Sequence, residues 1–359
     1  MSEKWLVEVI GGGLIGTSIA LKIANHGGKV RIKDANPGHQ RVANGLIGEA
    51  LLASDVGASL VVVAVPVDIS PLVIAEALIS NPSATVIDTG SIKTKVLLEV
   101  EKFLAAHSAR SALSRFLPTH PMAGREIAGP EGARSDLFEG RAWAITPHSG
   151  LDSTALATGQ LLVRELGATS YLISPEEHDR QVAMTSHLPQ LLASALAGVL
   201  EEPLDLAGAG LRDMTRLASS DPAMWQPIFE ANQSELISLL TKINESINKL
   251  INQNFNQDAV LSFMTQGAKG AARVPGKHGG VPRNYGTLSV VIPDAPGALA
   301  RLFNHCAAAK INIEDLRIEH SPGQETGLIS LSVKPSDLST LNDYLSIQGW
   351  HSTVVTKGN

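Results

Sequence analysis

The stretch Trp5-Leu6-Val7-Glu8-Val9-Ile10-Gly11-Gly12-Gly13-Leu14-Ile15-Gly16 decides the fold. Residues 5–10 are apolar enough and short enough for a buried strand. A Gly-x-Gly-x-x-Gly loop follows, and a helical pattern runs on to about Gly27. Gly11 permits the tight turn, Gly13 lets the main chain approach a pyrophosphate, and Gly16 lets the helix pack closely. Leu14 and Ile15 open the helix, where unpaired N–H groups meet phosphate oxygens. A second strand, Val30–Lys33, ends at Asp34, eighteen residues past Gly16. A carboxylate there accepts hydrogen bonds from ribose hydroxyls and repels a 2′-phosphate, so the loop reads as a site for NAD. Arg31 and Lys33 just before it blur the preference over NADP.

Further along the chain, Leu60–Val65, Thr85–Asp88, Phe116–Thr119, Ala142–Thr146 and Ser170–Ile173 read as additional strands, with helical patterns between most of them. That alternation predicts an α/β Rossmann domain over residues 1–174, an open parallel sheet with helices on both faces. Ligands in such sheets bind beyond the carboxyl ends of the strands. One edge therefore gathers the glycine loop, Asp34, Pro66-Val67-Asp68, Thr89-Gly90-Ser91-Ile92-Lys93 and His120-Pro121. A neutral imidazole at His120 can take a proton from a substrate hydroxyl as hydride leaves the same carbon. Ser91 can hydrogen-bond that oxygen. The plainer readings are a strand-end histidine and a helix cap.

From Pro175 the strand signal stops. Residues 175–266 read as an all-α substrate and dimerisation domain, with one long helix expected over Ala231–Asn254. Within it, Arg212 and Arg216 lie four apart, on one helical face, and can hold carboxylates bidentately or simply form a solvated surface. Residues 267–285 have linker composition: a flexible tether, or a basic loop over an anionic site. Residues 286–359 show the order βαββαβ of a ferredoxin-like unit.

The chain has 359 residues, a formal charge of −6 and a single cysteine. The length calls for several domains, and the acidic balance argues against nucleic acid as a partner. Cys306 lies in an apolar helical pattern and reads as a core thiol, and no Cys/His cluster has metal-site spacing. Met1-Ser2-Glu3-Lys4 leaves no room for a signal peptide, and the apolar runs are too short to cross a membrane, so a cytoplasmic location is expected.

Taken in order, the glycine loop, Thr89–Lys93, His120-Pro121-Met122-Ala123-Gly124, Ser186-His187-Leu188-Pro189, and Thr215-Arg216-Leu217-Ala218 running into Ser220-Asp221-Pro222 and Trp225 resemble the prephenate dehydrogenase family. That family includes arogenate and cyclohexadienyl dehydrogenases. The resemblance covers almost the whole chain. It implies oxidative decarboxylation of prephenate to 4-hydroxyphenylpyruvate with NAD, in a homodimer and without a metal. By position, His120 matches the histidine on the ring hydroxyl and Ser91 the serine assisting it. Arg216 matches the arginine on a substrate carboxylate, and His187 matches another pocket histidine. Arg125 and Glu126 stand where some members begin with Thr, and Gln190 stands where some have a second histidine. Both departures bear on the choice between prephenate and arogenate, the alternative substrate. The last unit resembles an ACT domain, which implies an amino-acid effector such as tyrosine near Asp294, Ala295, Gly297 and Asn312. A more distant alternative is a sensor that binds without catalysis.

Overall fold

The computed structural model describes residues 5–53, 56–125, 127–274, 285–320 and 326–356. They fall into two compact units, Met1–Asn244 and Glu245–Asn359.

The first unit opens with β1 (Leu6–Ile10), α1 (Leu14–Asn25), β2 (Lys29–Lys33), α2 (Pro37–Ile47), β3 (Leu60–Val63), α3 (Ser70–Ser80), β4 (Thr85–Asp88), α4 (Thr94–Ala106) and β5 (Phe116–Leu117). The strands form a five-stranded sheet in the order β2-β1-β3-β4-β5, with every pairing parallel. Strand β3 is buried at all four residues, as a parallel strand covered on both faces must be. Its side chains alternate: Leu60 and Val62 enter one core with Val7, Val9 and Ile19, while Val61 and Val63 enter another with Ile74, Leu78 and Val86. The strand order reverses direction at β1 and β3, which opens the ligand crevice of such sheets.

The stretch Phe116–Thr119 differs from its expected form as one strand of that sheet. Pro118 has no N–H to continue the ladder, and the chain leaves the sheet there. A second, three-stranded sheet follows, built from β6 (Thr119–Pro121), β7 (Ala142–Ile145) and β8 (Thr169–Leu172), with α5 (Ser153–Glu165) between the last two. β6 runs antiparallel to β7, which runs parallel to β8. His120 therefore sits on this smaller sheet rather than on an end of the parallel one.

The helices come next: α6 (Pro175–Val182), a π-helical turn (Ala183–His187), α7 (Leu188–Gly198), α8 (Ala209–Thr215), α9 (Pro222–Ala231) and α10 (Gln233–Asn252). The widened turn has a local cause, since Pro189 cannot donate to the carbonyl one helical turn earlier. The helix expected over Ala231–Asn254 begins at Gln233, because Asn232 leaves helical geometry between α9 and α10. Arg216 likewise falls outside the helix of Arg212: α8 stops at Thr215, and a 3₁₀ turn carries Arg216–Ser219 toward the extended Asp221 before Pro222.

The division between units falls within α10. The second unit contains α11 (Gln257–Ala271), capped by the Asn256 side chain on the Ala259 N–H. The helix corrects the expectation of a linker from residue 267: begun at its Asn256 cap, it extends through Gly267 and Gly270 to Ala271, since lengthening a formed helix needs no new nucleus. Residues 275–284 of that segment lie outside the described residues. Then come β9 (Gly286–Pro293), α12 (Ala298–Ala308), β10 (Asp315–His320), β11 (Thr326–Val333), α13 (Leu338–Ile347) and β12 (Ser352–Thr356). The four strands pair antiparallel in the order β10-β11-β9-β12. Their core includes Leu288, Val290, Leu302, Leu341 and Cys306, the buried thiol expected. Among the described residues no helix is long and apolar enough to cross a membrane, and no cluster of three potential metal ligands is found.

Candidate active site

Two cavities share Val65 and Pro66 at the carboxyl edge of the parallel sheet. The first, of about 420 Å³, is lined by Gly11, Gly13, Asp34 and Pro66 among others. Gly11 has φ +105°, and a Cβ there would lie 2.2 Å from the Ala64 carbonyl oxygen. A Cβ on Gly16 would lie 2.0 Å from the Gly11 carbonyl oxygen, so α1 packs as closely as the motif requires. Gly13 differs, with nothing within 4 Å of its missing Cβ. The fold leaves that space open at the cavity. Helix α1, which starts at Leu14 and Ile15, has no side-chain cap and no acidic residue in its first turn, leaving its N–H groups for an anion. Asp34 is oriented by the Gly12 N–H at 2.6 Å and the Asn36 N–H at 2.7 Å. Arg31 and Lys33 are both paired with the buried Glu8, at 2.9 and 2.8 Å. The two cations that blurred the preference at Asp34 are thereby committed elsewhere. These residues fit a dinucleotide with free ribose hydroxyls.

The second cavity, of about 640 Å³, is lined by Ile15, Pro66, Ser91, His120 and Pro121, and is faced by Asp221, Met224 and Gln226 around the start of α9. Ser91 is not the cap of α4, whose cap position is Lys93. His120 is brought beside the β4 loop by a lattice of buried bonds. The Thr119 N–H donates to Asp88 Oδ1 at 3.0 Å. Lys93, fully buried, pairs with Asp88 and donates to the Thr119 carbonyl. Burial pulls the Lys93 ammonium below its usual range, against the opposing pull of Asp88.

Behind His120 lies a second histidine. His120 Nδ1 is 2.9 Å from His178 Nε2, and His178 Nδ1 is 2.8 Å from Asp179 Oδ1. Burial, and then the neighbouring His178, Lys93 and His187, keep the His120 imidazole well below its ordinary pKa, so it stays neutral. Asp179 also accepts from the Lys93 N–H at 2.9 Å and the Thr94 N–H at 2.8 Å. Burial raises the Asp179 carboxyl, but the His178 bond and these amides outweigh it and hold it below the usual range.

The other expected substrate residues are placed apart from this cavity's lining. Arg212 and Arg216 are exposed. Gln190 is buried and donates to the Leu217 carbonyl at 2.8 Å, pinning the turn that carries Arg216. Arg125 is exposed and donates to the Gly132 carbonyl at 2.8 Å, and Glu126 lies outside the described residues. His187 is buried against the rings of Trp225 and Phe229, 3.2 Å from Asn232 Nδ2. Sequence reasoning passed over His178, Asp179, Asn232 and Asp88. The one available signal was the adjacent pair His178-Asp179, two titratable residues inside a helix of the predicted substrate domain.

The nucleotide-binding domain of prephenate dehydrogenase matches residues 19–172, and the dimerization domain of prephenate dehydrogenase matches residues 174–265. The chain is 29% identical to prephenate dehydrogenase of Bacillus subtilis, covering 93% of each protein. It is 32% identical to cyclohexadienyl dehydrogenase of Zymomonas mobilis over 56% of this chain and 69% of that protein. Among solved structures, prephenate dehydrogenase from A. aeolicus, in complex with hydroxyphenyl propionate and NAD+, superposes with a TM-score of 0.65 at 28% identity, over 76% of this chain and 98% of that one. A glycine loop shaped for a dinucleotide, a neutral histidine in the adjoining cavity and these likenesses agree: the chain belongs to the prephenate dehydrogenase family.

Proposed function

We propose that the chain catalyses the NAD-dependent oxidative decarboxylation of prephenate to 4-hydroxyphenylpyruvate. The observation that carries this reading is the neutral His120, which lines one cavity with Ser91 next to the glycine loop. NAD supplies the hydride acceptor. The ring carbon bearing the hydroxyl gives up its hydride while the hydroxyl proton passes to His120. The carbonyl so formed draws the electron pair of the breaking bond to carbon dioxide into the ring, which becomes aromatic. The proton then returns from His120 to the phenolic oxygen. Ser91 donates to or accepts from that same oxygen and keeps it facing the imidazole. Arg216 serves a substrate carboxylate in this reading, and Arg212, Arg125, Glu126 and His187 are secondary assignments that rest on the family resemblance. The test is NADH formation with prephenate and with arogenate in parallel. Turnover of arogenate alone would transfer the same chemistry to the amino-acid substrate.

The β9–β12 part of the second unit fits a ferredoxin-like ACT module, supported by its βαββαβ order and antiparallel sheet. In this reading a tyrosine effector occupies the exposed turn at Asp294, Ala295 and Gly297, where Gly297 has φ +82°, together with Asn312. Tyrosine should inhibit the full chain, and loss of that inhibition in an Asp294→Ala variant would support the site. A homodimer is supported by the apolar side chains exposed on α10 and α11, including Ile247, Ile251, Leu261 and Met264. A cytoplasmic location is in keeping with the single cysteine, which is buried.

A further inference from the structure

We propose that His178 and Asp179 are positioning residues that hold His120 in one tautomer, with its proton on Nδ1 and a bare Nε2 facing the cavity. The proposal rests on the catalytic reading of His120 given above.

The bond sequence sets the protons. An ionised carboxylate only accepts, so the 2.8 Å contact between Asp179 Oδ1 and His178 Nδ1 places a proton on that nitrogen. With one proton on its ring, His178 has a lone pair at Nε2. The 2.9 Å contact to His120 Nδ1 then requires that nitrogen to be the donor. Nε2 is the ring nitrogen of His120 that remains for the cavity. Reversing the chain would leave a proton on His120 Nε2, and the imidazole could not act as a base. His178 is 2% exposed and Asp179 5%, so water does not compete for either group. When His120 takes up the substrate proton, its Nδ1–H points at a neutral ring backed by a carboxylate. That alignment stabilises the new charge without moving a proton along the chain.

The carboxylate has a second task. Its two oxygens also receive the Lys93 and Thr94 N–H groups, at the start of α4 directly after the Ser91 loop. Ser91 and His120 come from different sheet strands, and Asp179 anchors both: the first through α4, the second through His178. The Asn232 side chain donates to the Asp179 carbonyl at 2.8 Å and fixes this part of α6 in turn.

The experiment uses the full chain labelled with ¹⁵N-histidine and reads the imidazole nitrogens of His120, assigned by comparison with a His120→Asn sample. The expected spectrum has a protonated Nδ1 and an unprotonated Nε2. His178→Gln can accept from His120 through its oxygen and donate to Asp179 through its amide. It should keep that tautomer and hold kcat within about tenfold. His178→Phe should mix the tautomers and lower kcat by about 10²-fold, the scale of a lost supporting bond, while KM for NAD stays within about twofold. A wild-type His120 protonated at Nε2 would overturn the proposal. So would His178→Phe with kcat within about threefold of wild type, or equal losses in both variants. If wild-type protein makes no NADH from prephenate, the functional reading fails, while the nitrogen spectrum still decides the tautomer.

Discussion

The two adjoining cavities are built on opposite principles. The glycine-loop cavity is shaped by main chain: missing Cβ atoms at Gly11 and Gly16, and open N–H groups at the start of α1. The His120 cavity depends on side chains converging from three distant segments, around Asp88–Lys93, Thr119–His120 and His178–Asp179. A main-chain site is written locally, and each of its glycines has one task. A side-chain site is distributed, and its most consequential residues need not touch substrate. Substitutions should therefore act differently in the two halves: sharply and separably in the first, and through shared anchors in the second.

The largest effect is expected in the side-chain half. His120→Asn removes the base and keeps a polar group of similar size, so kcat should fall by about 10²- to 10⁴-fold. KM for NAD should hold, because the glycine loop is untouched. A comparable rise in KM for NAD would merge the two halves and break the contrast.

The main-chain half offers a finer test in its own glycines. Gly16→Ala puts a methyl group 2.0 Å from the Gly11 carbonyl oxygen, so α1 must shift. Overpacking of that kind costs about 1–3 kcal/mol and should lower the melting temperature. Gly13→Ala meets nothing within 4 Å and should leave the melting temperature unchanged. It should still weaken NAD binding at least about tenfold, or about 1.4 kcal/mol, because the methyl group occupies the approach of the pyrophosphate. Calorimetry with and without NAD reads both quantities. Equal melting losses for the two variants would mean that Gly13 also serves packing.

The same contrast explains what could be read from the sequence. The strand, the loop and Asp34 lie within thirty residues, and their spacing carries their geometry. The parallel order of the sheet follows from the strand–helix alternation, and Ser91 and His120 were legible as candidates for the cavity. Pro118 hid the departure of β6 onto a second sheet, since a proline in a short apolar run looks the same at a strand end as at a sheet change. His178 carried no signal beyond its acidic neighbour Asp179. Its partner lies 58 positions away, and only the docking of α6 brings the two rings together. The arginines teach the converse. The four-residue spacing of Arg212 and Arg216 promised one helical face, yet the chain tightens into a 3₁₀ turn before Pro222. Arg216→Ala should raise KM for substrate by about tenfold, with kcat for the bound substrate changed less, if it holds a carboxylate. An unchanged KM would assign it to the solvated surface.

The smallest effect concerns stability and separates a buried histidine from a catalytic one. Burial lowers the pKa of His187 from 6.5 to about 4. In the unfolded chain the group takes up its proton below about pH 6.5; in the folded chain it does so only near pH 4. Across that window the unfolded state binds more protons, so stability is full above it and declines as pH falls through it. One such group contributes a slope of at most about 1.4 kcal/mol per pH unit. His120, also lowered chiefly by burial, adds to the slope in the same direction. Asp179 acts in a lower window, because a carboxylate held below 3.8 loses its contribution only as the pH falls past that value. Urea midpoints measured between pH 7 and pH 4.5 should therefore fall steadily. His187→Gln can no longer titrate and should flatten the curve, at the cost of some stability at neutral pH. Because His187 does not line the His120 cavity, kcat should change less in this variant than in His120→Asn. An unaltered slope would show that His187 keeps its proton on folding, and would leave His120 as the buried imidazole that resists acid.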